Sequence, residues 1–577
     1  MESDFFIILQ KILRCLTFPY YSCQRDRNLI IIFMKTNNNR FWLILLLFSI
    51  FPASSMGKAS ERFIEMYCDR VVIYPQRMTL TGEETLLDIL MAYPDLIQGG
   101  FKEIATSYNV RIDNSTVNLD MRLFMYQLKA KEIERIQICD NTGVAKGTLG
   151  LGRVIDINLV RKKDGLNALY GMQFGSDNLY AHSVQGIYGS EKTKLYASGS
   201  FDYKDKSNEI SQAHHLGAHM TNWLSPHSRL QTYFTQQYSD YKFYNPESHT
   251  KIGSHEYTTK THFFFDLDRD IGNWLIGGGY QYSNAPQFKM IDEQHKAVST
   301  AYNVMFGVVE LNTSLSENVN MMLGWECDKE WNSVRLENDE SQKFGQMNND
   351  LYIRFDCTFG DVHLSVGDRM MYFNYSISGN NHHEVRHNFQ SSLIATLSET
   401  TQLQAAYHRK FSNPSFIVDD KVTEDEWLLR KENLKASYID EIKIGYTHSR
   451  KDFSFSLNSY LLDMDFAEKT WKVQAATYGR VGWFVISAGV NFFNPKGYNN
   501  DYTTFIVNPR LLLPCQLQIG GKAIVASKHD ILPSGEKNYL AFHVEQQIGK
   551  HLSIGVDWHD VLSKTYAACL GKIEYRF

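Results

Sequence analysis

The sequence predicts an all-β membrane protein, an antiparallel transmembrane barrel of ~22 strands with a small α+β domain before it. Three observations predict it. From Gly165 onward the chain reads as runs that alternate apolar and polar residues in steps of two. That is the period of strands with one face in an apolar medium and the other in water. The connections between runs are sorted by parity, short ones alternating with longer ones. The composition pairs 13% aromatic residues with a mean hydropathy of -0.33, as interfacial aromatic girdles around a wet interior require.

The chain has 577 residues, more than one ordinary domain holds. Its formal net charge of -5 gives no argument for nucleic acid. Beyond the amino-terminal region no apolar run is long enough for a helical span. At that end, Met34-Lys35-Thr36-Asn37-Asn38-Asn39-Arg40 is a basic lead, Phe41 to Phe51 an apolar core, and Ser54 to Ala59 a stretch with small residues for cleavage. These are the parts of a secretory signal peptide starting at Met34. Residues 1–33 then read as an upstream extension from a misplaced start, 34–59 as the leader, 60–163 as the first mature domain and 164–577 as the barrel. Cys68, Cys139, Cys327, Cys357, Cys515 and Cys569 follow the leader without metal-type spacing. In an oxidising compartment Cys68 and Cys139 could pair, the alternative being isolated half-buried thiols.

In the first mature domain, Arg70 to Tyr74 reads as a short strand. Thr81-Gly82-Glu83-Glu84 reads as a capping box opening a helix with Leu86, Leu87 and Leu90 on one face, stopped by Pro94. Val110 to Asp113 is a second strand ending at the turn former Asn114-Ser115. A helical stretch from about Met121 to Leu128 leads to the strand Ala130 to Ile138. The Gly-rich segment Gly143 to Gly152 precedes a strand from Val154 to Leu159. A small soluble α+β domain would read the same way.

In the barrel region Leu195, Ala197, Gly199 and Phe201 oppose Lys194, Ser198, Ser200 and Asp202, and Leu552, Ile554, Val556 and Trp558 oppose His551, Ser553 and Asp557. The tight connections are Gly189–Lys192, Asp268–Gly272, Phe359–Asp361, Ser398–Thr400, Arg450–Asp452, Leu513-Pro514 and Gly549-Lys550. The longer ones are Ser239–Ser254, Ser283–Lys296, Glu330–Lys343, Phe411–Asn433 and Ser527–Glu536. Membrane barrels sort their connections in this way, with tight inner turns and longer outer loops, whereas a soluble sandwich has no reason to.

Candidate contacts fall on the longer connections. His382, His383 and His387, with Glu384, place three imidazoles and a carboxylate in one outer loop, a set suited to a metal or haem iron or to a solvated polar loop. Tyr241, Phe243 and Tyr244 are suited to stacking on a sugar or aromatic siderophore, or to an interfacial girdle. Asp419-Asp420 with Glu424-Asp425-Glu426 is an acidic run open to calcium. His214-His215 sits on a strand, so its two rings face opposite ways. No nucleophile elbow, phosphate loop or zinc-protease motif supports an enzyme, and no cofactor is expected.

The order of the first domain resembles the plug of TonB-dependent receptors. Thr85 to Pro94 looks like its helix, Val110 to Asp113 like the strand before its Asp-Gly turn (here Asp113-Asn114), and Ala130 to Ile138 like its "I-E-x-I-E-V" strand. Gly147-Thr148-Leu149-Gly150-Leu151-Gly152-Arg153-Val154-Ile155-Asp156-Ile157 looks like its closing glycine segment. Phe411 to Ser415 and Lys431 to Tyr446 resemble a receptor-barrel pattern in which Asn433-Leu434-Lys435 and Gly445-Tyr446 keep their places. Ile573, Tyr575 and Phe577 resemble the terminal signal read by the barrel-assembly machinery. The resemblance, of Bacteroidota type, implies a plug in the lumen, outer-membrane lipid around the barrel, and import of a siderophore, haem, cobalamin or oligosaccharide driven by a TonB–ExbB–ExbD complex. No TonB box is evident, since only Ser60 to Cys68 is left for a coupling segment. The alternative is a non-transporting surface, adhesion or assembly protein on the same scaffold.

Overall fold

The computed structural model describes Arg62–Arg576 apart from several segments, the longest being 94–107, 117–127, 140–152, 413–436 and 528–537. The expected leader, the helical stretch from Met121 up to Leu128, the Gly-rich segment, the acidic run and Phe577 lie outside the described residues, Leu128 itself being described.

Apolar β-branched runs build a six-stranded inner sheet in the order β1-β2-β5-β6-β3-β4. Its strands are β1 (Ile64–Met66), β2 (Val71–Ile73), β3 (Tyr108–Ile112), β4 (Ser115–Thr116), β5 (Ile133–Cys139) and β6 (Arg153–Leu159). β3 and β6 run parallel, which a crossover connection permits, and the other neighbours pair antiparallel. One helix, α1 (Leu86–Leu90), buries Leu86, Ile89 and Leu90 against Ile73, Ile133, Ile136 and Ile155 of the same apolar cluster.

Two expectations for this domain change. Helix α1 begins at Leu86, and the Asp88 carboxylate accepts the Thr85 backbone N–H at 2.8 Å. The reach-back bond of a capping box is thus present at Thr85–Asp88, and Glu84 pairs with Arg480 of the barrel, while Thr81 of the expected pair lies outside the described residues. No disulfide links Cys68 to Cys139. The Cys68 thiol donates toward the barrel carbonyls of Ser392 and His363 at 3.6 and 3.8 Å, while Cys139 is buried in β5.

Among the described residues, 22 antiparallel strands close into a barrel. It opens with β7 (Gly165–Gly175), β8 (Leu179–Gly189), β9 (Thr193–Lys206), β10 (Glu209–Ser225) and β11 (Ser228–Asn245). The tallest wall follows: β12 (Thr250–Arg269), β13 (Gly272–Ile291), β14 (Gln294–Ser316), β15 (Val319–Arg335), β16 (Ser341–Phe359), β17 (Val362–Ile377) and β18 (Asn380–Ser398). Lower strands complete it: β19 (Thr401–Ser412), β20 (Ser437–Arg450), β21 (Phe453–Met464), β22 (Ala467–Val481), β23 (Phe484–Pro495), β24 (Tyr502–Leu512), β25 (Leu517–Ala526), β26 (Asn538–Ile548), β27 (Leu552–His559) and β28 (Ala568–Arg576). β28 then pairs with β7, Leu570–Arg576 against Leu169–Gly175, so no edge is left.

The expected tight turns are all present between β8 and β9, β12 and β13, β16 and β17, β18 and β19, β20 and β21, β24 and β25, and β26 and β27. Gly360 in the β16–β17 turn and Gly482 in the further tight turn between β22 and β23 take positive φ (59° each), a conformation glycine adopts without strain. The longer connections differ from expectation. Much of Ser239–Ser254, Ser283–Lys296 and Glu330–Lys343 continues as strand. β14 has 23 residues, about 75 Å of strand at ~3.3 Å per residue. A bilayer covers an apolar band of only ~25 Å in such barrels, so the upper parts of these strands stand beyond it as wall.

Period-2 alternation assigns each side chain to one face. Leu216, Val184, Phe263 and Met305 are exposed on the outside, while Gln231, Thr235, Glu326, Asp350 and Arg369 are buried on the inside. On the inner face of β15, Gly324 makes room for the Tyr352 ring of its directly paired partner, and the Tyr352 hydroxyl donates to Glu310 at 2.9 Å. Gly324→Val should push Tyr352 from this position and cost about 1–3 kcal/mol. A lowered guanidinium midpoint in detergent checks this; an unchanged midpoint would show that the ring position is not constrained.

Candidate functional site

The site is the contact between the inner sheet and the barrel wall. Its apolar part is one buried cluster in which Phe63, Leu86, Leu90 and Ile136 join the barrel residues Tyr196, Ile394, Tyr478 and Leu512. Those four side chains come from β9, β18, β22 and β24, which stand on different sides of the ring. A domain that packs on inward side chains around a closed barrel lies within it. Phe63 meets the Tyr478 ring edge-on at 5.8 Å between centroids.

β1 is an edge strand of the inner sheet, and the barrel supplies partners for its backbone. The Ile64 N–H donates to Ser449 Oγ at 3.1 Å and the Met66 N–H donates to Gln402 Oε1 at 2.8 Å. The Gln402 amide returns a bond to the Met66 carbonyl at 3.4 Å, and the Arg62 guanidinium reaches the Ser398 carbonyl at 3.5 Å. Side chains on β19 and β20 thus substitute for a further strand, satisfying groups that would otherwise be buried without partners.

Ion pairs fix the helix side. Glu84 and Arg480 pair at 2.8 Å with both side chains almost fully buried, and Arg480 also donates to the Thr79 carbonyl. One turn on, Asp88 pairs with Arg510. Burial opposes ionisation of Asp88, but the Arg510 guanidinium and the Thr85 N–H outweigh it and hold the Asp88 pKa below the usual carboxylate value. On the opposite side the charges are reversed. Arg111 of β3 is pulled below its ordinary pKa by burial, against the stabilising fields of Asp156, Cys139 and the barrel's Glu326.

Glu326 belongs to an acidic stretch of inner wall. Cross-strand register places Glu326 opposite Asp350 and Asp328 opposite Asn348. Arg369 of β17 bonds to both members of the first pair, with Nη2 at 2.7 Å from Glu326 and Nε at 2.8 Å from Asp350 Oδ2. Asn348 donates to Asp328 at 2.9 Å and Gln346 to Asn348 at 2.9 Å. On the other wall Lys572 of β28 pairs with Glu545, which also accepts Ser553 Oγ at 2.7 Å. The inner face is therefore polar and charged wherever the inner sheet does not cover it with apolar groups.

The expected ligand residues are placed differently. His382, His383 and His387 lie on β18, not in a loop, and His383 and His387 are exposed on the outward face with Val385 between them. Four residues of strand separate the two by about 13 Å, too far to share an ion. His387 instead meets Asp368 at 2.9 Å. The His382 side chain lies outside the described residues. Tyr241, Phe243 and Tyr244 lie on the outer part of β11, with Tyr241 paired to Ser254 and Phe243 to Ile252. Among the described residues no group of His, Cys, Asp and Glu is arranged to hold a metal ion. Sequence reasoning missed Arg480, Arg510, Glu326, Asp350 and Arg369. Their signal is an ionisable residue at the inward parity of a strand.

Arg480→Ala would leave Glu84 buried without this guanidinium, and should destabilise the seat of the inner sheet by about 3–5 kcal/mol; faster proteolysis within the inner domain, with the barrel intact, is the expected result. Because the folded pKa of Asp88 is depressed, its contribution is complete above its unfolded value near ~4 and is lost as pH falls through the folded value. Hydrogen exchange of α1 should therefore accelerate on acidification in that window, and Asp88→Asn should remove the dependence contributed by this pair.

No known family profile and no curated protein matches the sequence. Solved structures do. The copper transporter OprC is similar with a TM-score of 0.69 at 8% identity, over 90% of this chain and 100% of that one. The siderophore receptor PiuA from Acinetobacter baumannii gives 0.64 at 11%, over 91% and 99%. The siderophore receptor PirA from Pseudomonas aeruginosa gives 0.62 at 13%, over 89% and 100%. At these identities the likeness is one of fold, and it agrees with the resemblance carried by the sequence motifs: the chain has the 22-strand barrel fold of the TonB-dependent outer-membrane receptors.

Proposed function

We propose that the chain is an outer-membrane receptor and transporter that captures a scarce solute at its outer face and admits it to the periplasm when the inner domain, its plug, is displaced. One observation carries this reading: the plug is held in the barrel by separable polar contacts and buried ion pairs, Glu84–Arg480 and Asp88–Arg510 among them. A domain meant to seal a wall permanently has no need of so polar a seat. The solved structures of similar fold include siderophore receptors and a copper transporter, which favours a chelated metal over the haem, cobalamin and oligosaccharide classes. Tyr241 and Phe243, on the tall outer part of β11, are proposed ligand contacts. Ile573 and Tyr575 on β28, with the terminal Phe577, are the proposed signal for the barrel-assembly machinery.

The position of β1 supports energy coupling as part of this reading. It is the edge of the inner sheet and the described strand nearest the amino terminus, so a pull by a TonB–ExbB–ExbD complex would peel it first. The same strand favours a second reading. Residues expected to serve as a free coupling segment are instead built into the sheet and bonded to β19 and β20. A receptor scaffold kept shut in this way would suit a non-transporting surface or assembly protein.

Ser392→Cys separates the readings, because Cys68 lies against the Ser392 backbone. Oxidation should tether the turn after β1 to the wall and abolish uptake of the cognate ferric siderophore by whole cells while leaving its binding intact, and a reductant should restore uptake. A deletion strain that takes up every candidate iron complex, haem, cobalamin and oligosaccharide normally would sink the transport reading.

A further inference from the structure

The outward face of the first barrel strands carries a row of rings that the interior does not use. Cross-strand register pairs His182 with Phe201, Phe201 with His214, His214 with Tyr238 and Tyr238 with Tyr257. These five residues sit side by side across β8 to β12. The middle three rings are neighbours in space, Phe201 to His214 at 4.8 Å and His214 to Tyr238 at 6.0 Å between centroids. His182 is flanked by the hydroxyls of Tyr170 and Tyr180. Their parity is that of Val184 and Leu216, which are about half exposed, so the row faces the bilayer side of the wall.

The next row toward the inner turns is Val184, Gly199, Leu216 and Gln236. Gly199 leaves a gap there, since a Cβ at that position would meet nothing nearer than 3.7 Å. The gap and the ring row enclose a dent of about 500 Å³, lined by Tyr170, His182, Phe201, His214, Gln236 and Tyr238 among others. The row on the other side, Tyr180, Tyr203, Gln212 and Asp240, is polar. From Ser228 to Tyr238 the strand climbs about 25 Å at a rise of ~3.4 Å per residue and a tilt near ~45°. That equals the height of the apolar band in such barrels, so the dent lies where acyl chains give way to headgroups in the outer leaflet.

We propose that this dent is a binding site for the sugar headgroup of an outer-leaflet glycolipid, an acylated glucosamine disaccharide. Aromatic faces stack on sugar rings, and imidazole, phenol and amide groups exchange hydrogen bonds with hydroxyls. None of the described lining residues is Lys, Arg, Asp or Glu, so the site has no fixed cation for a phosphate. In the polar row the Asp240 carboxylate is already engaged by Lys242 at 3.1 Å and by His255 at 3.1 Å, so that row offers polar partners and no free charge. Val184 and Leu216 below would lie against the acyl chains. The inference rests on the barrel spanning the outer membrane, but not on transport.

The test is native mass spectrometry of the full chain, purified in detergent and mixed with dephosphorylated lipid A disaccharide, phosphatidylglycerol or phosphatidylethanolamine. The wild-type chain should retain the disaccharide lipid over both phospholipids. Gly199→Leu, which fills the gap, and His214→Leu, which breaks the ring row, should each reduce that retention by about fivefold, the scale of one aromatic contact. A heat-modifiable gel shift reports that each barrel is folded, and if Gly199→Leu fails it, His214→Leu decides alone. Equal retention by a folded variant, or wild-type preference for phosphatidylglycerol, would overturn the site while leaving the receptor reading untouched.

Discussion

The bonds between β28 and β7 are the constraint on which the rest of the structure depends. In hydrocarbon an open sheet edge has no partner for its amides, so a sheet of this kind must close to exist at all. Closure fixes the register around the ring, and register fixes the face of every side chain. A slip of one residue would turn Glu326, Asp350 and Arg369 toward lipid and send Leu216 and Met305 into the lumen. The polar inner wall, the ring row outside and the seat of the inner sheet all follow from that one condition.

Within the closed ring, the inner sheet meets a wall whose charge changes sign around its circumference. Arginines of β22 and β24 receive the acidic residues at α1, while the acidic stretch of β15 and β16 lies in the field of Arg111. Buried pairs of this kind add little net stability, because desolvation offsets much of the attraction. Their effect is on orientation. Turned within the ring, the inner sheet would set like charges together, so the pairs specify one seating out of many that its apolar core alone would tolerate.

Much of this was legible in the sequence. Alternation located the strands, and the tight turns sorted their direction, because both arise from local geometry. The inner domain was legible in Val154–Leu159 and Ala130–Ile138, whose β-branched runs became β6 and β5. Loop lengths were not, since polar residues in Ser239–Ser254 and Glu330–Lys343 suit a wall that stands in water as well as they suit a loop. The His383–His387 set has a related reading: residues close in sequence are spread about 13 Å apart along the wall once the segment is strand. Glu84 read as a cap because its partner, Arg480, lies 396 positions away, and no local pattern reports such a pair.

The barrel's hydrogen-bonded ladders are uneven in length. Among the described residues β13 and β14 pair along Asn273–Ile291, whereas β28 meets β7 along Leu570–Arg576. The barrel is therefore mechanically anisotropic. Under heat or lateral tension the short ladders from β24 round to β7 should part before the tall wall of β12 to β15 does.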